Sequence, residues 1–151
     1  LGVDHPSTLT ARANLASSYR QAGRTNDAIT IGERVVEDSE RLIGVDHPST
    51  LTARANLASS YWQAGRTNDA ITIGERVVED RERLIGVDHP STLTARANLA
   101  ASYWQAGRTS DAIKLLQAVV DRQDGVTGPD HPEAVARRAG LTRWKREAET
   151  G

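Results

Sequence analysis

LGVDHPSTLTARANLASSYRQAGRTNDAITIGERVVEDSERL, residues 1–42, is followed at once by the same unit with three changes: Leu1/Ile43, Arg20/Trp62 and Ser39/Arg81. A third copy starts at Ile85 and keeps the first half of the unit, with Ser59 becoming Ala101; a fourth starts at Thr127 and ends after one helix-sized segment. Periods of 20–50 residues mark architectures in which each unit buries its apolar face only against its neighbours. The 151 residues are therefore read as one linear stack: repeats at 1–42, 43–84 and 85–126, and a partial fourth repeat, a capping helix, at 127–151.

Within one unit, Asp4-His5-Pro6-Ser7 opens a helix, with Asp4 as its N-cap and Pro6 in the first turn, where amides lack partners. Leu9, Ala13, Leu15, Ala16 and Tyr19 then recur at helical spacing and form the expected core side. Gly23 ends this helix in a left-handed conformation. Thr25 caps the next one, which runs through Ala28, Ile31, Val35, Val36 and Leu42. Gly44 stops it, and Val45 folds back onto it. Two helices of about 17 residues and two short turns fill the period. The fold class is all-α, built of antiparallel helical hairpins.

Asn14-Leu15-Ala16, Tyr19, Gly23-Arg24 and Ala28 together resemble the signature of the tetratricopeptide repeat (TPR). The preceding Gly-Val-Asp-His-Pro-Ser-Thr-Leu is similar to the 42-residue TPR variant of kinesin light chains, also common in bacterial multidomain signalling proteins. The resemblance implies a right-handed TPR-like α-solenoid of three repeats plus one terminal helix, with the first helix of each hairpin lining the concave surface. Two positions depart from the pattern. A bulky residue of the second helix is Gly32 and Gly74, restored only as Leu116, and one of the first helix is Arg12, Arg54 and Arg96. For function the resemblance implies a binding scaffold.

Composition removes other classes. There is no Cys, and His5, His47, His89 and His131 stand whole repeats apart, each before Pro, so helix initiation accounts for them and no shared metal does. No P-loop, nucleophile elbow or zinc motif is present, and the Gly-Arg-Thr turns lack the glycines and Lys of a phosphate cradle. Neither enzymatic activity nor a cofactor is expected. A net charge of -1 gives no global reason to bind nucleic acid, and Arg137, Arg138, Arg143, Lys145 and Arg146 read as the solvated face of the terminal helix. No apolar run suggests a membrane span or signal peptide, and a cytoplasmic location is expected. With no Met and a start in register, the chain reads as a piece of something longer.

On a helical wheel Thr10, Asn14, Ser17 and Gln21 form a polar stripe opposite the core side. The repeat turns the stripe into rows: Asn14, Asn56, Asn98; Thr10, Thr52, Thr94; and Gln21, Gln63, Gln105. Gly140 ends the asparagine row in the fourth copy. Packed helices set successive asparagines roughly 10 Å apart, and a peptide advances about 3.3 Å per residue. One asparagine then meets every third peptide residue, where its amide can both donate and accept. The alternative is that each asparagine bonds a neighbouring loop or carbonyl. Trp62 and Trp104, with Arg20 in the first copy, sit at the edge of the core beside the stripe. They are either flat groove anchors or packing between repeats, and Trp144 is a packing residue of the end helix. Arg12, Arg54 and Arg96 fall inside the apolar sector and need partners. Asp38 and Asp80 are the candidates; with Arg122 at that place in the third copy, Arg96 needs another acceptor or reaches water.

The leading expectation is a protein-interaction module that holds an extended peptide in a nearly uncharged groove. The second is a self-stacking or regulatory arm that associates head to tail, with the charged segment 132–150 as a cap.

Overall fold

A residue before proline is pushed into extended backbone, which is also the conformation of a helix N-cap. In the computed structural model, which describes Gly2 and residues 5–151, this combination starts four of seven helices. They are α1 (Pro6–Gln21), α2 (Thr25–Leu42), α3 (Pro48–Gln63), α4 (Thr67–Ile85), α5 (Pro90–Gln105), α6 (Thr109–Val126) and α7 (Pro132–Thr150). The caps are the histidines. Nδ1 of His5, His47 and His89 accepts the backbone N–H two residues on at 3.0 Å, and that of His131 does so at 3.2 Å. The expected cap, Asp4, lies outside the described residues; the imidazole holds the N-cap position in every copy.

The turn inside each hairpin also differs from expectation. Gly23 has φ +79°, as a left-handed stop requires. Thr25, however, lies within α2, and its hydroxyl donates back to the Gly23 carbonyl at 3.3 Å, so it caps nothing. Arg24 holds the turn instead. Its guanidinium stands 4.4 Å from the Tyr19 ring centre, and its Nε donates to Asp27 at 2.9 Å. Arg66 does the same with Tyr61 and Asp69, and Arg108 with Tyr103 and Asp111. Each hairpin thus carries one lock between the end of its first helix and the start of its second.

The chain divides into two compact units, one ending at Asp80 and the other starting at Arg81, within α4. In the first, Ile29 of α2, Leu57 and Tyr61 of α3 and Ala70 of α4 form the core. Leu15 was expected in such a core but is 44% exposed, whereas its counterpart Leu57 is 4% exposed. The difference is one helix: α2 precedes and covers α3, and no described helix precedes α1. Val45, expected to fold back onto α2, is likewise exposed. In the second unit, Leu93 and Ala100 of α5, Leu116, Val119 and Val120 of α6, and Leu141 of α7 form the core, with Trp144 packed on it as expected of the end helix.

Candidate functional site

The polar stripe follows the helical period, and the structure keeps it at the surface. Thr10, Asn14 and Gln21 are exposed on α1, Thr52 and Gln63 on α3, and Thr94, Asn98 and Gln105 on α5, while Asn56 is half-buried. Among the described residues, the side-chain amides of Asn14, Asn56 and Asn98 make no hydrogen bond to the protein, while their backbone carbonyls accept from Ser18, Ser60 and Ser102. Other members of the stripe are engaged. Thr10 donates to the Pro6 carbonyl at 3.2 Å, and Thr94 accepts from Arg137 at 3.1 Å. Gln63 donates to the Arg20 carbonyl at 3.3 Å, and Arg20 reaches the Asn56 carbonyl at 3.5 Å, so these side chains tie α1 to α3.

The aromatic position is divided. Trp62 is 42% exposed. Trp104 is half-buried and has one face covered by Trp144, the rings parallel to within 3° at 4.8 Å. Stacking of this kind adds to the area buried. It leaves Trp104 only its other face and edge.

Between α1, α2 and α3 lies a small cleft with room for about one water molecule. Ala13, Ala16 and Arg20 of α1, Gly32 of α2, and Asn56 and Leu57 of α3 are among its walls. Leu57 packs directly against the bare helix at Gly32, where a Cβ would meet Leu57 Cδ1 at 3.2 Å. The cleft's depth is apolar, and Asn56 and Arg20 are its polar groups together with Ser17 and Ser60.

The arginines inside the apolar sector are paired, and mainly structural. Arg12 donates to Asp38 at 3.0 Å, the expected partner. Arg54 is 2% exposed and binds its expected Asp80 at 3.1 Å, but also Glu40 at 2.9 Å and the Val45 carbonyl at 3.0 Å. Arg96 finds Glu82 at 2.8 Å, and Arg122 pairs with Asp88 at 2.8 Å. Arg138 binds Asp124 and the Pro129 carbonyl. It is thus the fourth member of the same series and not simply a solvated basic residue.

Tyr61, 5% exposed, donates its hydroxyl to Glu33 at 2.6 Å. Burial, and then the bond to Glu33, push its phenol well above the usual 10.0. The neutral form is favoured in the fold, so its contribution is complete below about pH 10 and is lost as pH rises further. Urea midpoints measured against pH should fall above pH 10 for the wild-type chain and flatten in Tyr61→Phe. At neutral pH the same change should cost about 1–2 kcal/mol.

No helix among the described residues is long and apolar enough to cross a membrane. The family model of the tetratricopeptide repeat matches residues 7–83 and again 55–124. A crystal structure of nearly identical TPR-like repeats from Podosopora anserina, ascribed to a kinesin light chain, is 31% identical with a TM-score of 0.84. It aligns with 93% of this chain and 66% of its own. A single-residue variant of those repeats is 29% identical with a TM-score of 0.88, over 99% of this chain and 71% of its own. BtubC (BKLC) from P. vanneervenii, 18% identical with a TM-score of 0.77, shares the fold over 91% of this chain and 56% of its own. No curated protein sequence matches the chain significantly. The architecture is that of an all-α, TPR-like solenoid.

Proposed function

The chain belongs to the tetratricopeptide repeat family, a family of protein–protein interaction scaffolds, and from that premise we propose that it binds an extended peptide segment. The peptide would lie in the cytoplasm along the surface of α1, α3 and α5, which in a TPR superhelix is the concave one. The observation that carries this reading is the asparagine row: the same amide recurs on all three helices, exposed at Asn14 and Asn98, with no side-chain bond among the described residues. Each amide can donate to a peptide carbonyl and accept from a peptide N–H. Thr10, Thr52, Thr94, Gln21, Gln63 and Gln105 border that row, and Arg20, Trp62 and Trp104 flank it. No reaction is assigned to the surface, which offers hydrogen bonds and apolar contact but no nucleophile paired with a base.

Recognition by backbone and apolar contacts has a salt signature. Arg20 is the one charged member of the proposed surface, so affinity for a library-selected peptide should change less than about threefold between low and high salt. A steep loss of affinity would point to charge pairing and against this reading.

Head-to-tail association is a second reading. Leu15 favours it, being 44% exposed where its counterparts Leu57 and Leu99 are buried. A mass that rises with concentration, lost in Leu15→Ser, would support self-association; a constant mass would count against it.

A further inference from the structure

One contact pattern recurs where the second helix of a hairpin meets the first helix of the next. Ile29 of α2 packs with Leu57 and Tyr61 of α3, the Tyr61 hydroxyl donates to Glu33 at 2.6 Å, and Arg54 binds Glu40 at 2.9 Å. In the same register Arg96 of α5 binds Glu82 of α4 at 2.8 Å. Lys145 of α7 stands where the tyrosine would be and donates to Gln117 of α6 at 2.8 Å, while Arg138 binds Asp124. The α1 helix has the sequence of α3 except for Arg20 in place of Trp62. Yet its copy of this face is open. Thr8, Ala11, Leu15 and Tyr19 are exposed or half-buried, whereas Thr50, Ala53, Leu57 and Tyr61 are all buried. Among the described residues the Tyr19 hydroxyl has no hydrogen-bond partner, and Arg12 binds Asp38 but no second carboxylate.

We infer that this face of α1 is a docking site for an amphipathic helix of a partner protein. The helix presents an aliphatic residue, a glutamate four residues on and a second glutamate eleven residues on. That is the spacing of Ile29, Glu33 and Glu40, which falls within one narrow sector of a helix. The occupant is specified because the surface is a copy: what covers it on α3 is α2. The aliphatic residue covers Leu15, the first glutamate accepts from Tyr19, and the second shares Arg12 with Asp38. Apolar burial and charge-assisted hydrogen bonds then act together, as in other helix-docking surfaces. Head-to-tail association differs from this. It would bring α7 to the face, and α7 has no aliphatic residue followed by glutamates at that spacing.

The probe is a synthetic peptide of residues 24–43, held helical by a hydrocarbon staple between positions 30 and 34, both exposed on α2. Circular dichroism checks its helicity, and fluorescence polarisation follows its binding to the whole chain. Saturable binding is expected, at least about tenfold weaker for the Glu33→Gln/Glu40→Gln peptide. A similar loss of about tenfold or more is expected for the chain variant Leu15→Ser. Leu15 is exposed, so that variant should keep its melting curve; the glutamine peptide does not depend on it. The Asn14→Ala/Asn56→Ala/Asn98→Ala chain should bind the helix as wild type does, which separates this site from the asparagine row. No binding by the helical peptide, or equal binding by the glutamine peptide or by Leu15→Ser, would overturn the inference. So would a mass that rises with concentration and that the peptide does not lower, which would assign the face to a second copy.

Discussion

Arg54→Ala should lower the stability of the chain by about 3–5 kcal/mol. The guanidinium is 2% exposed and joins three segments: Glu40 at the end of α2, the Val45 carbonyl in the following turn, and Asp80 in α4. Truncation takes their buried guanidinium partner from two carboxylates, 30% and 15% exposed, with Arg76 3.9 Å from each. It also leaves a carbonyl without its donor, and a cavity where the arginine stem packed. Uncompensated charge dominates this sum. Urea unfolding followed by circular dichroism measures the loss. Adding Asp80→Ala to Arg54→Ala should recover part of it, because the second change removes one of the carboxylates that the guanidinium had neutralised. Arg12→Ala is the internal control. Arg12 is 19% exposed, and its partner Asp38 also lies 3.3 Å from Arg41, so a smaller cost of about 1–2 kcal/mol is expected. Equal losses at the two positions would show that burial and the extra acceptors of Arg54 contribute nothing.

This series of arginines also shows where sequence reading stops. Asp38 and Asp80 were legible as partners because they lie near the core edge of the facing helix, and both pairs form. The second carboxylate does not stand out within a single repeat. Yet Glu40 with Arg54, Glu82 with Arg96 and Asp124 with Arg138 share one spacing, and that recurrence was the available signal. It explains how Arg96 remains paired although the third copy has Arg122 where the others have an aspartate. Arg138 was hidden for a different reason: next to Arg137 it resembled a charge run, and only alignment with the repeat reveals it as the same residue.

The helices, their glycine stops and the exposed polar stripe were readable because backbone preference and helical period are local properties. The caps were not fully so. An aspartate and a histidine both precede each helix-starting proline, and either can accept a backbone N–H; the extended backbone before proline selects the histidine. The Trp104–Trp144 stack joins different positions of two repeats, so no repeat row points to it. The Gly32 cleft was visible only as a departure from a bulky residue. That Leu57 packs against the bare helix at Gly32 follows from the packing of different helices, not from any one segment.

The central claim is that the asparagine row holds a peptide backbone. Among the described residues, Asn14, Asn56 and Asn98 make no hydrogen bond through their amides, so truncating all three should leave unfolding almost unchanged. Each amide would contribute up to two hydrogen bonds to a bound peptide, worth about 1 kcal/mol apiece. Losing the row should then weaken binding by about a hundredfold or more. The decisive measurement selects a peptide on the wild-type chain and compares its affinity, by fluorescence polarisation, for wild type and for Asn14→Ala/Asn56→Ala/Asn98→Ala. A hundredfold loss with an unaltered melting curve is the predicted result. Affinities within about threefold of each other, again with an unaltered melting curve, would contradict the ladder.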